Sequence, residues 1–254
     1  MNPAFLGARH GLLATLGCFA LVWGLFDRTA AFLGSVRGEA GILVCTVVLA
    51  AATACEVALS GRTPVRALAA LGLRAPDLRA LLWACALVGL LLCFYPVFAA
   101  ATGAQLSMRA DAIPLAIGML AQGGIAEEVL FRGFLFRRLR EGRSFWRAAS
   151  LAAMGFVAVH SLLFLTLDFA LALASLLLSL SLSFPLAWLF ERSGGSIWPP
   201  AIVHAVLQGA IKLVEAGEHF FAMAIAWMIL GALLPWAFFL LADASGARVR
   251  AEKP

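Results

Sequence analysis

The feature that most constrains this chain is a succession of long apolar segments separated by short connections with turn-forming or charged residues. An α-helix needs roughly 20 apolar residues to cross about 30 Å of hydrocarbon. Eight candidate spans lie near residues 11–26, 40–59, 80–101, 112–131, 147–166, 169–190, 198–214 and 220–241. The pattern therefore predicts an all-α fold, a polytopic transmembrane helix bundle of about eight spans.

Composition argues against the two other ways of folding such a chain. Hydrophobic residues make up 63% of it and charged residues 13%, whereas soluble domains are nearer half apolar and a quarter charged. The apolar runs are too long for a membrane β-barrel and lack its alternation of polar and apolar residues.

The first span could instead be a signal peptide, with Arg9 before the apolar stretch. An uncleaved first helix is the simpler interpretation, because more spans follow.

The distribution of basic residues predicts the orientation in the membrane. With the N-terminus inside, fifteen of the 19 Lys and Arg residues lie on the inner side. The four on the outer side are Arg28, Arg37, Arg109 and Lys212. Because Lys and Arg accumulate on the cytoplasmic side, we expect cytoplasmic N- and C-termini, including the basic tail with Arg248, Arg250 and Lys253.

The same charges identify the bilayer, and not nucleic acid, as the partner of the basic surface. A net charge of +5 suits attraction to anionic lipid, and basic patches with interleaved stacking aromatics are absent. Arg outnumbers Lys 17 to 2 alongside much Ala and Gly. This codon-usage pattern favours a GC-rich bacterial genome, so we expect an integral protein of a bacterial inner membrane.

Function is sought among the polar groups that the membrane makes costly, since a charge at bilayer depth costs several kcal/mol unless it is paired or solvated. These residues are Glu56, Glu127, Glu128, His160 and His204, with Arg132 and Gln208 at the margins. Glu56 lies one turn from the cytoplasmic end of its span. There it can pair with Arg62, and we interpret it as structural.

Glu127 and Glu128 close the fourth span. Adjacent helical residues point about 100° apart, so we expect that the two carboxylates cannot face the same partner. Glu128 and Arg132 are four residues apart and can form an ion pair, which leaves Glu127 without that partner. Gly123 and Gly124, one turn earlier, leave room for water or another backbone.

The competing interpretation of this motif is a charged helix end that anchors the span at the interface. It accounts for Arg137, Arg138 and Arg140, but accounts poorly for two adjacent glutamates.

His160 lies deep in the fifth span, and His204 lies six residues after Trp198 with Gln208 one turn further on. A lone membrane histidine is more often a packed, hydrogen-bonded residue. Two of them in the same half-chain as the glutamates indicate a site.

Three motifs in order carry a family resemblance. Glu127-Glu128-x-x-x-Arg132, then Phe156-x-x-x-His160, then His204 with a polar residue four positions on, resemble the motifs of the CPBP family of intramembrane proteases, which includes the CAAX prenyl endopeptidases. The segment that leads from Ser193 to Pro200 is also similar. The resemblance implies a CPBP-like catalytic core at 112–212, after N-terminal transmembrane helices at 1–111 and before a last helix and cytoplasmic tail at 213–254.

The resemblance also implies a glutamic-type mechanism. Glu127 and His160 would activate the water that attacks the peptide carbonyl, and Glu128 and Arg132 would hold the base in place. His204 and Gln208 would line the oxyanion site. Gln208 departs from the family pattern, which usually has Asn at this position. The substrate would be a membrane-associated protein or peptide, with no cofactor and no metal.

Other functions remain open at the level of sequence. A zinc protease would show His-Glu-x-x-His, which is absent. Two Glu and two His could hold two metal ions, although Glu128 is expected to be engaged by Arg132. A non-proteolytic membrane protein of the same fold, acting as a scaffold, immunity factor or transport accessory factor, is the main alternative.

Overall fold

The computed structural model describes residues 3–35, 38–166 and 168–251. Arg37 and Lys253 of the charge count lie outside these residues. The helices are α1 (Pro3–Phe32), α2 (Gly41–Ser60), α3 (Pro64–Ala70), α4 (Leu78–Leu92), α5 (Phe94–Thr102), α6 (Ala112–Met119), α7 (Arg137–Arg140), α8 (Phe145–His160), α9 (Phe169–Arg192), α10 (Trp198–Leu213) and α11 (Phe220–Ala251). Two π-helical segments, Leu120–Ala126 and Val129–Phe136, link α6 to α7, and 3-10 turns cover Ser161–Leu165 and Gly217–His219.

The prediction of an all-α polytopic bundle is confirmed. Among the residues that the structure describes, seven helical segments are long and apolar enough to cross a membrane: Gly11–Phe32, Gly41–Ser60, Leu78–Thr102, Ala112–Arg140, Phe145–Leu165, Ala172–Arg192 and Gly217–Leu241. In the described part of the chain, β-structure is limited to one antiparallel pair of two-residue strands, β1 (Ser107–Met108) and β2 (Val214–Glu215). The segment Ala112–Arg140, here called the central helix, is the most buried of the seven.

The predicted span at 198–214 corresponds to α10, which is too short to count among these seven segments. Its 16 residues extend about 24 Å at 1.5 Å per residue, less than the hydrocarbon thickness. At one end, the Ile197 amide donates to the Gly72 carbonyl at 3.0 Å. At the other end, Val214 pairs with Met108. Gly72 and Met108 lie at opposite ends of the crossing formed by α4 and α5, so α10 also joins the two sides of the bundle.

Local signals in the sequence account for the ends of several helices. The Asp77 side chain accepts from the Ala80 amide at 3.1 Å and caps α4, while Ser144 caps α8 through the Arg147 amide. Gly61 follows α2 with a φ of +66°, a left-handed conformation that favours glycine at a helix C-terminus. These signals lie in the connections where the sequence predicts turns.

Close backbone contacts hold the central helix against its neighbours. A Cβ atom added to Gly41 would lie 1.9 Å from the Gly118 carbonyl oxygen, and one added to Gly118 would lie 1.9 Å from that of Gly38. Toward the other end, a Cβ atom on Gly133 would lie 2.0 Å from the Leu71 carbonyl oxygen. Small residues allow this approach between membrane helices. The contacts toward the two ends fix the position of the central helix along its own axis.

Glu56 is the centre of an ion-pair cluster at the predicted cytoplasmic end. Its side chain is fully buried, and the predicted pair with Arg62 is confirmed at 3.1 Å. Its second oxygen accepts from Arg137 and Arg138, each at 2.7 Å. Arg137 and Arg138, which the competing interpretation treats as interface anchors, thus also pair with a buried carboxylate inside the protein. Arg140 likewise turns to a protein carboxylate, that of Glu191.

Cysteine labelling tests the orientation in the membrane, which stays a prediction from the charge count. We expect a single cysteine introduced at Glu218 to react with an impermeant thiol reagent in sealed cells, and one introduced at Arg143 to remain unlabelled. The five native cysteines are first replaced to clear the background. Labelling at position 143 in sealed cells would overturn both the topology and a site open to the cytoplasm.

Replacing Glu56 with Gln should destabilise the fold. The change leaves Arg137 and Arg138 largely buried without their carboxylate, and loss of one partner of a buried ion pair costs about 3–5 kcal/mol. Glu141→Gln is the matched control, because Glu141 is 72% exposed and lies 3.8 Å from Arg137; we expect a change of at most about 1 kcal/mol there. Unfolding in detergent measures both variants, and equal stabilities would show that the cluster contributes little.

Candidate active site

Two π-helical segments flank the glutamate pair of the central helix. They cover Leu120–Ala126 and Val129–Phe136, with Glu127 and Glu128 between them. Helices of this kind are rare and are often found at functional sites, usually as single turns. The wider turn changes the direction in which successive side chains leave the helix, so spacing rules for an α-helix do not hold here. The paired glycines Gly123 and Gly124 are the one feature of the sequence that hints at this π-helical geometry.

Glu128 is held by two partners. One carboxylate oxygen, Oε1, accepts from Arg132 Nη1 at 2.8 Å and from His204 Nδ1 at 2.7 Å. Glu128 is fully buried and Arg132 is 3% exposed, so each charge depends on the other for compensation. The predicted pair of Glu128 with Arg132 is confirmed, and the hydrogen bond to His204 adds a link from the central helix to α10.

His204 lies between the two carboxylates. Because a carboxylate accepts, His204 Nδ1 donates to Glu128, and His204 Nε2 lies 3.7 Å from Glu127 Oε2. The second distance is too long for a hydrogen bond but short enough for an electrostatic contact. The expectation that adjacent glutamates cannot face one partner is therefore wrong. An imidazole presents a nitrogen on each of two edges, and α10 places the ring where both carboxylates reach it.

Glu127 keeps one oxygen uncommitted. Oε1 accepts from Gln208 Nε2 at 3.4 Å, a weak hydrogen bond. Oε2 of Glu127 and Oε2 of Glu128 are buried, and neither has a hydrogen-bond partner among the described residues. Within the described residues, Glu127 pairs with His204 and with no arginine, whereas Glu128 pairs with Arg132.

His160 is connected to the other site residues by the Phe156 ring, which lies between them. Its Nδ1 donates to the Phe156 carbonyl at 2.9 Å, and its ring centroid lies 4.3 Å from that of Phe156. The same phenyl ring lies 5.2 Å from the Arg132 guanidinium carbon and 6.3 Å from the His204 ring. In the described residues no hydrogen bond or ion pair joins His160 to Glu127. Since Nδ1 carries a proton, Nε2 is the nitrogen that can act on a reacting group.

Two glycines bring the central helix and α10 together beside these groups. A Cβ atom on Gly124 would lie 2.8 Å from the Ala201 carbonyl oxygen, and one on Gly123 would overlap the Gln208 side chain. The expected room for another backbone is present at Gly124. At Gly123 the room is filled by an amide side chain of the protein.

Gln122 is a further polar residue beside the site, and the sequence reasoning did not single it out. Its Oε1 accepts from Ser35 Oγ at 2.6 Å, and its Nε2 donates to the Ser35 carbonyl at 3.2 Å. Ser35 Oγ also accepts from the Ala40 amide. The bonds attach the π-helical segment before Glu127 to the connection between α1 and α2. The available signal was an amide side chain inside an apolar span, the same signal that singled out Gln208.

Direct contacts thus unite Glu127, Glu128, Arg132, His204 and Gln208, and Phe156 joins His160 to this group. Within the parts of the chain that the structure describes, no three His, Cys, Asp or Glu side chains are arranged to hold a metal ion. The components of the site are carboxylates, imidazoles and an amide, which can transfer protons and donate hydrogen bonds.

The fold and the site define a polytopic helical membrane protein with a buried centre of carboxylates and imidazoles. Residues 109–210 match the family described as Rce1-like, type II CAAX prenyl endopeptidase Rce1-like. The matched residues contain the three motifs on which the resemblance to the CPBP family rests. The match supports a CAAX-type intramembrane protease as the kind of function. No curated protein and no solved structure matches the chain.

Proposed function

We propose that the chain is a glutamic-type intramembrane endopeptidase that cleaves a membrane-associated protein or peptide with a water activated by Glu127 and His160. The observation that carries the proposal is the contrast between the two glutamates. Glu128 Oε1 accepts from Arg132 and His204 at 2.8 and 2.7 Å, whereas Glu127 accepts a single weak hydrogen bond, from Gln208 at 3.4 Å. A carboxylate in such surroundings suits a general base.

In the proposed reaction, Glu127 accepts a proton from water while the water oxygen attacks the carbonyl carbon of the scissile bond. His160 Nε2 assists by accepting a hydrogen bond from the same water. The C–N bond then breaks, and the proton held by Glu127 passes to the leaving amine. Proton transfer by a positioned side chain contributes about 10²–10⁴-fold to a rate.

Negative charge develops on the carbonyl oxygen during the attack. The available donors are the N–H groups of Gln208, of which one bonds Glu127, and His204 Nε2 when it is protonated. Preorganised donors of this kind supply a few kcal/mol of transition-state stabilisation. Glu128 and Arg132 act on the reaction through His204, since their bonds fix the orientation of its ring.

The side of the membrane on which the cut lies follows from the orientation predicted by the charges, and the bacterial host from the excess of Arg over Lys. The site would lie in the inner membrane of a bacterium, with both termini in the cytoplasm and the cut near the inner face. Proteomic comparison of protein termini from membranes with the parent chain and with Glu127→Gln identifies the substrate. Identical termini in both would favour a scaffold, immunity or transport accessory role.

Substitution of the proposed base and its partner tests the mechanism. Glu127→Gln and His160→Ala should each lower the turnover of an identified substrate by about 100-fold or more without loss of membrane insertion. Glu128→Gln should lower the turnover of folded protein less, because it mispositions the base without removing it. Near-parental cleavage by Glu127→Gln would exclude the glutamic mechanism. Inhibition by phenanthroline that added metal reverses would support a metal site instead.

Gln208 tests the oxyanion assignment. Gln208→Ala removes the amide donor, and we expect at least a ten-fold lower rate, about 1.4 kcal/mol in activation free energy. Gln208→Asn keeps the same amide on a shorter side chain, and should not exceed the parent. Single-turnover cleavage in liposomes by the three proteins gives the comparison. An alanine variant as fast as the parent would remove Gln208 from the site.

A further inference from the structure

The Gln208 carboxamide occupies the place where residue 123 would carry a side chain. A Cβ atom built on Gly123 lies 1.7 Å from Gln208 Oε1 and 2.9 Å from its Cδ. Cβ atoms do not approach other heavy atoms so closely, so residue 123 must be glycine for the amide to stay where it is. The other end of the same amide, Nε2, donates to Glu127 Oε1 at 3.4 Å. The amide therefore lies between Gly123 and Glu127.

The two glycines of the pair meet different kinds of neighbour. Beside Gly123 the obstructing atom is the end of a flexible side chain, which can move without any change in the backbone. Beside Gly124 it is the Ala201 carbonyl oxygen at 2.8 Å, which belongs to the backbone of α10. An added methyl group should therefore displace an amide in the first case and push two helices apart in the second.

We propose that Gly123 is a positioning residue matched to the length of Gln208. By leaving its own side-chain volume empty, Gly123 lets the longer amide reach Glu127 and holds its donor beside the proposed base. The inference rests on the proposed function and explains how the chain accommodates Gln where the family pattern usually has Asn. Asn has one methylene fewer, so its amide would retract by about one C–C bond length and clear a methyl group at residue 123.

A double-mutant cycle tests whether Gly123 is matched to the length of Gln208, because it isolates the coupling between two residues. This pairing of residues is called the match below. In the parent background, Gly123→Ala should lower the single-turnover cleavage rate about ten-fold. In the Gln208→Asn background the same substitution should change the rate less than two-fold, since no long amide remains to be displaced. The parental KM should be largely retained, because the substitution affects a donor that acts at the reacting carbonyl.

Two other glycines provide controls. Gly89→Ala adds a methyl group where no heavy atom lies within 4 Å and should leave the rate unchanged. Gly124→Ala should lower the thermal stability, and Gln208→Asn should not restore it. If Gly123→Ala cleaves at the parental rate, or slows cleavage equally in both backgrounds while remaining folded, the match is refuted.

Thermal unfolding provides a readout that is independent of cleavage. Gln208→Asn alone leaves a gap beside Gly123 and should lower the melting temperature by about 2–4 °C, and Gly123→Ala in that background should regain most of the loss. Additive temperature changes would refute the match even if the chain is a protease. If Glu127→Gln cleaves as well as the parent while the temperature changes remain coupled, the proposed function fails and the match stands.

Discussion

An ionised group can remain at bilayer depth only where another group compensates its charge, and this requirement organises the interior of the bundle. Glu128 is fully buried and depends on Arg132 and His204, which lie within 2.8 Å of one of its oxygens. The first partner belongs to the same helix and the second to α10. The hydrogen bond from His204 therefore joins the central helix to α10, and the packing of the site follows from it.

Close packing of small residues makes that contact possible. Gly124 allows the backbone of α10 to approach, and the glycine contacts near Gly118 and Gly133 hold the central helix at a fixed height. A short α10 can then complete a crossing because other helices, and not lipid alone, surround it. Hydrogen bonds from Ile197 and the pairing of Val214 fix its two ends. Its position along the bundle sets the height of His204 beside the glutamates.

The sequence predicted the elements of the fold that depend on length and hydropathy. It also singled out the site residues, because a charged or amide side chain within an apolar span is conspicuous. The side-chain contacts between different helices could not be predicted from length and hydropathy. The π-helical turns around Glu127, the sharing of His204 by two carboxylates and the inward turn of Arg137 arise from packing. A rule for the directions of side chains on a regular α-helix fails where the helix is not regular.

The cluster around Glu56 has a consequence for the biogenesis of the chain. Before the helices assemble, Arg137 and Arg138 carry free charges that resist translocation and so contribute to the orientation of the nascent spans. After assembly, both guanidinium groups pair with the same carboxylate, that of Glu56 on α2. The same arginines would therefore act twice, first on the insertion machinery and later on helix docking. Selection on either step alone would constrain both residues.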